Sequence, residues 1–147
     1  MHLEQGGHPM NDPQYDPKGL ARCAAGYGED YAKRLFDRVA EHDPDYSLAF
    51  QKFVFGFLYD RTVLDQKTRE LCAVASLMMS GLPAQLRVHF TGCKSYGATD
   101  EEIREVILQT VVYGGVARGM WALAEFEKWK KEDLMGFGDP RVGAKAE

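Results

Sequence analysis

The chain has 147 residues, of which 45% are hydrophobic and 27% charged, a composition typical of a globular domain and unlike that of a disordered chain. Its length suits one domain with its own core and leaves no room for two. The 18 basic and 22 acidic residues give a net charge of −4 and are interspersed, which argues against the basic stripe of a nucleic-acid binder. No apolar run approaches the ~20 residues that span a bilayer. We therefore expect neither a nucleic-acid nor a membrane partner.

The two ends of the chain are predicted to be flexible, with one helical domain between them. Residues 1–26 are rich in Pro, Gly, Asp and Asn and predict a flexible N-terminal arm. Residues 134–147 predict a flexible C-terminal tail, which leaves 27–133 as the domain. The first eleven residues lack the apolar segment of a secretory signal, so we expect a cytoplasmic protein.

The cysteines and histidines do not predict a metal site. Cys23, Cys72 and Cys93 are odd in number and widely spaced, without a Cys-x-x-Cys pair, which argues against a disulfide framework and a zinc site. Each cysteine is most simply a small buried hydrophobe. His89 has no second histidine or aspartate three or four residues away, and we expect no metal.

A first helix is predicted after Gly28, because apolar residues recur there at helical spacing. The buried positions are Tyr31, Leu35 and Val39, and the outward positions include Lys33, Arg34, Asp37 and Arg38. Asp43 followed by Pro44 is typical of a helix start, with the carboxyl as N-cap and the proline at the first helical position.

The next helix, predicted over about 44–59, is apolar on more than one side. One aromatic stripe has helical spacing and consists of Tyr46, Phe50, Phe53 and Phe57, while other faces carry Leu48, Phe55, Leu58 and Tyr59. A helix of this kind is covered on several sides. Because a small domain has few ways to cover them all, we interpret this helix as an oligomer interface; the alternative is a central core helix.

The rest of the chain predicts further helices and no strand. Asp65 caps a helix that ends near Gly81, and Pro83 begins another that stops at Gly97. Thr99 and Glu102 form a capping box. A glycine pair at 114–115 then separates two more helices, and it lacks the preceding strand of a phosphate-binding loop. The fold class predicted is all-α, a bundle of about six helices.

The candidate chemistry lies on either side of the turn at Gly81. Glu70 is on one apolar helix and His89 is on the inner face of the next. Because a tight turn joins these two helices, they must be neighbours. Taken alone, Glu70 could be a surface carboxylate and His89 a core histidine bonded to Gln85. Taken together, an acid and an imidazole in apolar surroundings can exchange a proton with a substrate.

The arginines considered for binding an anionic group are Arg69, Arg87 and Arg118. Arg87 lies about 200° around its helix from His89, so it should not face the same pocket within one subunit, but it is able to reach the pocket of a neighbouring subunit. For each arginine the alternative is a solvated surface charge.

The order and spacing of four segments resemble the carboxymuconolactone decarboxylase family, which includes the alkylhydroperoxidase D-like proteins. The segments are 64–71, 85–89, 97–103 and 105–115, and the resemblance covers roughly residues 30 to 128. The alkylhydroperoxidase branch has a glutamate, eleven residues, a Cys-x-x-Cys pair, three residues and a histidine. Glu70 and His89 fit this pattern, but Leu82 and Gln85 occupy the cysteine positions. Dithiol peroxidase chemistry is therefore unavailable by that route.

The resemblance implies a helical bundle that assembles as a homo-oligomer, a trimer or a hexamer, and a cofactor-free decarboxylase acting on a small anionic lactone or carbonyl acid. An aromatic catabolic pathway is the leading expectation. In such a lyase His89 would donate the proton and Glu70 would be its partner. The substrate-binding candidates are Gln85, Arg69, Arg87, Tyr113 and Arg118, the last from a neighbouring subunit.

Two alternatives stay open at this point. One is a thiol-dependent redox protein that uses Cys93, one turn beyond His89. The other is a non-catalytic oligomeric binding protein.

Overall fold

The computed structural model describes residues 14–132, and within that range all regular structure is helical. It consists of seven α-helices and one π-helical segment: α1 (Pro17–Tyr27), α2 (Glu29–His42), α3 (Pro44–Phe50), the π-segment (Gln51–Leu58), α4 (Gln66–Ser80), α5 (Pro83–Ser95), α6 (Asp100–Gly114) and α7 (Val116–Glu132). The all-α prediction is confirmed for these residues. None of the described helices combines the length and the apolar character needed to cross a membrane.

The predicted N-terminal arm is wrong for residues 17–26, which belong to α1. Asp16 caps this helix by accepting a hydrogen bond from the Gly19 N–H at 2.8 Å, and Pro17 occupies its first turn. The same residues that suggested a loop are therefore helix-start signals. Residues 1–13 and the predicted tail at 134–147 lie outside the described residues.

Glycine in α1 allows a close helix crossing. A Cβ at Gly19 would lie 2.7 Å from the carbonyl oxygen of Gln51, the first residue of the π-segment. The Gln51 side chain is fully buried beside it, accepting from the Asp16 N–H at 2.8 Å and donating to the Ser47 hydroxyl at 3.2 Å. These bonds fix the start of α1 against the helix that follows α2.

The helix predicted over 44–59 exists, but it changes type at Gln51. Its first half is α-helical and is capped by Asp43 as expected, and its second half is π-helical. The wider π turn presents Phe55 to the core while Phe53 and Phe57, 58% and 51% exposed, lie on the outer surface. The helix thus has one face in the core and one exposed face. This arrangement is intermediate between the two predicted alternatives, a central core helix and an oligomer interface.

Two hydrophobic clusters share helix α5. The larger one is formed by residues of α4, α5, α6 and α7. It contains Val74, Met78, Leu86, Phe90, Cys93, Ile103, Ile107 and Phe126 among others. The smaller one joins α1, α2 and the π-segment to α5 and contains Cys23, Tyr27, Tyr31, Phe36, Phe55 and Val88 among others. Successive faces of α5 therefore contact both clusters, and His89 lies on the helix at their junction.

The crossing at Gly19 predicts an effect on stability. Gly19→Ala should lower the free energy of unfolding by about 1–3 kcal/mol, because its Cβ meets a backbone oxygen that cannot move aside. Urea denaturation measures this change. The control is Gly56→Ala in the π-segment, whose Cβ would have ordinary contacts at 3.4 Å and beyond. Equal stability of the two variants would contradict the close crossing.

Candidate active site

The centre of the site is the Glu70 carboxylate, which is 0% exposed. Its Oε2 atom lies 2.6 Å from His89 Nδ1, and its Oε1 accepts a hydrogen bond from the Tyr27 hydroxyl at 2.7 Å. Three helices, α1, α4 and α5, therefore meet at one carboxyl group. Burying a carboxylate is costly unless hydrogen bonds replace its water, and these two partners supply them.

Gly92 makes the approach of Glu70 to α5 sterically feasible. It lies one helical turn after His89, and a Cβ there would be 2.5 Å from Glu70 Oε2 and 3.0 Å from Tyr27 Cε1. Any larger residue would displace the carboxylate or the tyrosine ring. Glycine at this position is thus part of the site, although it carries no chemistry of its own.

The hydrogen bonds fix the protonation pattern of His89. The Tyr27 hydroxyl donates to Glu70, and a carboxylate can only accept, so Nδ1 carries the proton that lies between His89 and Glu70. Among the described residues, the hydrogen-bond contacts of His89 all use Nδ1, at 2.6 Å to Glu70 and 3.3 Å to Tyr27. This leaves Nε2 for a ligand, an arrangement that orients an imidazole for proton transfer.

The buried charge of Glu70 also acts on the neighbouring hydroxyls. Burial, followed by the Glu70 charge, raises the pKa of Tyr27 well above its ordinary value. Burial and the same charge raise the pKa of Tyr59. Both tyrosines therefore remain protonated hydrogen-bond donors at neutral pH.

His89 lies on the wall of a cavity of about 380 Å³, a size that suits a small organic molecule. Most of the wall is aromatic or aliphatic, and the complete set of lining residues is Tyr27, Tyr31, Arg34, Leu35, Arg38, Phe50, Val54, Phe55, Tyr59, Gln85, Val88 and His89. The polar lining residues come from α1, α2 and α5, and from Tyr59 at the end of the π-segment. The cavity thus offers an imidazole, an amide and two guanidinium groups within apolar walls.

The sequence-predicted binding residues are only partly brought to this cavity. Gln85 lines it together with His89. Arg87 instead donates from Nε to Glu125 at 2.8 Å, and Arg69 donates to the backbone oxygen of Arg61 at 3.0 Å. Neither lines the cavity of its own chain.

The remaining two candidates are also remote from the cavity within one chain. Arg118 lies over the Trp121 ring, 5.6 Å from its centroid, and Tyr113 is exposed near the end of α6. A role in the cavity for either residue would need a neighbouring subunit.

Cys93 faces the larger hydrophobic cluster and is fully buried. Burial raises the pKa of its thiol, and the charge of Glu70 raises it further. Since the thiolate is the reactive form, this environment disfavours redox chemistry at Cys93. Within residues 14–132, no cluster of His, Cys, Asp and Glu side chains is suited to hold a metal ion.

Arg34 and Arg38 were expected on the outward face of α2, and the structure places both on the cavity wall. The sequence did contain a signal for this placement, because Tyr31, Arg34 and Arg38 share one helical face. Arginine on an amphipathic helix is ordinarily a solvated residue, and only the packing of α2 over the cavity shows otherwise.

The fold and site define an all-α protein with a buried acid–imidazole pair at a small-molecule cavity. The sequence model of the carboxymuconolactone decarboxylase family matches residues 44–128, more than half of the chain, and the chain belongs to this family. It is 30% identical over 107 residues to the 4-carboxymuconolactone decarboxylase of Acinetobacter baylyi, covering 73% of this chain and 80% of that protein. It is also 38% identical over 64 residues to an uncharacterized 15.0 kDa protein of the nqo9-nqo10 intergenic region of Paracoccus denitrificans, covering 42% of this chain and 48% of that protein.

The matched family segment divides the site in two. Glu70, Gln85 and His89 lie within residues 44–128, whereas Tyr27 and Arg34 precede them. The acid–imidazole pair thus belongs to the part shared with the family model, and the wall formed by α1 and α2 lies outside it.

The role of Gly92 predicts the behaviour of the pair. Gly92→Ala should break the hydrogen bond between Glu70 and His89, because the new Cβ occupies the position next to Oε2. Nitrogen-15 NMR of the His89 ring is expected to show the loss of a hydrogen-bonded Nδ1 proton in the variant. Gly19→Ala, which also crowds a helix crossing but lies away from Glu70, is the control. An unchanged His89 spectrum in Gly92→Ala would contradict the geometry.

Proposed function

We propose that this protein is a cofactor-free lyase that removes CO2 from a small anionic lactone or carbonyl acid. The observation that carries the proposal is the 2.6 Å contact between Glu70 and His89 Nδ1 beside a largely apolar cavity. Family membership and the decarboxylase named in Acinetobacter baylyi support the same reaction class.

In the proposed reaction the bond between the substrate and its carboxylate carbon breaks, and CO2 leaves without the bonding electron pair. That pair delocalises onto the adjacent carbonyl group as an enolate. His89, in its imidazolium form, then donates its Nε2 proton to carbon, which completes the exchange of a carboxylate for a hydrogen. The buried Glu70 stabilises the imidazolium before transfer and keeps the Nδ1 proton in place afterwards. Water at the cavity mouth restores the proton.

Other cavity residues support individual parts of this reaction. The amide of Gln85 can donate a hydrogen bond to the enolate oxygen, where negative charge develops. Tyr27, held as a donor by its raised pKa, keeps the Glu70 carboxylate oriented. The apolar walls exclude water from the carbanionic intermediate, so that the histidine is the source of the proton.

The reaction is tested by substitution of the proton-transfer pair. His89→Ala and Glu70→Gln should each lower kcat about 10²- to 10⁴-fold, the usual contribution of a positioned acid. The substrate panel begins with 4-carboxymuconolactone, and carbon-13 NMR follows CO2 release and the proton added to carbon. His42→Ala, at the exposed end of α2, is the control and should retain full activity. Full activity of both site variants would overturn the proposal.

The same panel distinguishes an enzyme from a binding protein. A wild-type protein that gains thermal stability with these acids but releases no CO2 would be a binding protein, contrary to the proposal.

We also propose that the protein is a homo-oligomer, a trimer or a hexamer. Tyr46, Phe53 and Phe57, three of the four residues of the predicted aromatic stripe, are exposed on α3 and the π-segment. The fourth, Phe50, packs against Phe36 and Phe55 instead. A second apolar face lies on α6 and α7 and consists of Leu108, Val112, Tyr113, Val116 and Met120. Monomeric proteins rarely expose contiguous apolar patches of this kind, which favours burial of these faces between subunits.

Assembly is tested by introducing charge on the aromatic face. Phe53→Glu combined with Phe57→Glu should reduce the sedimentation coefficient to that of a smaller species, because burying two carboxylates is unfavourable. The matched control is Lys52→Gln combined with Lys128→Gln, which makes the net charge more negative by the same amount without removing an apolar contact. A wild-type protein that sediments as a 16.5 kDa monomer would contradict the proposed oligomer.

A further inference from the structure

Arg34 is a cavity-lining residue with two side-chain donor atoms that have no hydrogen-bond partner among the described residues. Its Nε and Nη2 atoms are both buried, and no described residue accepts a hydrogen bond from either. Each of these two atoms is costly to bury, because it has lost water without gaining an acceptor. Arg87 is held by Glu125. Arg69 donates from Nη2 to the Arg61 carbonyl, and although its Nε also lacks an acceptor, Arg69 does not line the cavity.

The surroundings of Arg34 indicate what its partner should be. Glu70, the buried carboxylate of the site, is already held by Tyr27 and His89. A second arginine, Arg38, also lines the cavity from α2. An entering carboxylate therefore meets positive charge on α2 and the imidazole on α5.

We infer that Arg34 is the specificity-determining residue of the cavity, binding a carboxylate that the substrate retains while a different carboxyl group is lost near His89. This inference rests on the proposed function and deepens it, because it assigns the α2 end of the cavity to recognition and the α5 end to proton transfer. A rotation of the flexible side chain places Nε and Nη2 on the two oxygens of the retained carboxylate as a bidentate pair.

If Arg34 binds the retained carboxylate, its removal should have a kinetic effect that removal of a purely structural arginine would not have. The retained carboxylate has the same charge in the substrate and in the transition state, so its contact with Arg34 contributes equally to both. Arg34→Met should therefore raise KM about 10- to 100-fold, the value of one charge-assisted pair, and leave kcat nearly unchanged. Lys33→Met, on the same helix and exposed beside Glu29, is the matched control.

A binding experiment separates this assignment from the decarboxylase proposal. The probes are isophthalate and monomethyl isophthalate, planar acids that differ by one negative charge and do not lose CO2 under these conditions. Calorimetric titration should show that the wild type and Lys33→Met prefer the diacid, whereas Arg34→Met does not. Loss of this preference in Arg34→Met would support the role of Arg34. If the wild type also released no CO2 from any acid, the proposed reaction would be refuted while the role of Arg34 stood.

Thermal unfolding of the free proteins checks that Arg34→Met is not merely misfolded. Because methionine removes two buried donor atoms that have no hydrogen-bond partner, Tm of the free variant should equal or exceed that of the wild type. Arg34→Lys should keep part of the diacid preference, since it keeps the charge but not the bidentate geometry. A diacid preference that survives in Arg34→Met, or a wild type without one, would overturn the inference.

Discussion

The buried Glu70 carboxylate is the constraint on which the rest of this site depends. A carboxylate with no solvent exposure must be satisfied by hydrogen bonds, and its two oxygens are satisfied by residues from two other helices. The bond to His89 ties α4 to α5, and the bond to Tyr27 ties both to α1. One group thereby connects the two hydrophobic clusters and determines which imidazole nitrogen is left for a ligand.

The carboxylate explains several features that otherwise look unrelated. Gly92 is needed because the carboxyl group occupies the volume of a side chain on α5. The raised pKa of Cys93 follows from burial and from the same charge, so the position of Glu70 that favours proton transfer also disfavours thiol chemistry. Within this chain the acid–base route and the thiol route are thus electrostatically opposed.

The sequence alone predicted the parts of the site that depend on residues close together in the chain. Glu70 and His89 lie on consecutive helices joined by a short turn, so their proximity follows from the hairpin alone. The capping residues Asp43, Asp65 and Thr99 act as predicted for the same reason, since a cap involves only its own first turn. The all-α class followed from periodicity along most of the chain.

The parts that were missed depend on distant packing. Tyr27 lies 43 residues before Glu70 on a helix whose Gly and Pro content suggested a loop, and no local pattern pairs them. Arg34 was assigned to solvent because amphipathicity reports only the polarity of a face, whereas its burial comes from α2 packing over the cavity. The change from α to π geometry occurs at Gln51, where α1 crosses closely at Gly19, and no local sequence pattern indicates that contact.

The most direct test of this account is the tautomer of His89 in the free wild-type protein, measured by nitrogen-15 NMR through a pH titration. The neutral ring is expected to keep its proton on Nδ1 beside Glu70, and Nε2 is expected to be the nitrogen that loses its proton. A neutral ring protonated on Nε2, with Nδ1 bare, would contradict it, because the carboxylate would then lack its donor and the cavity would lack its proton-transfer atom.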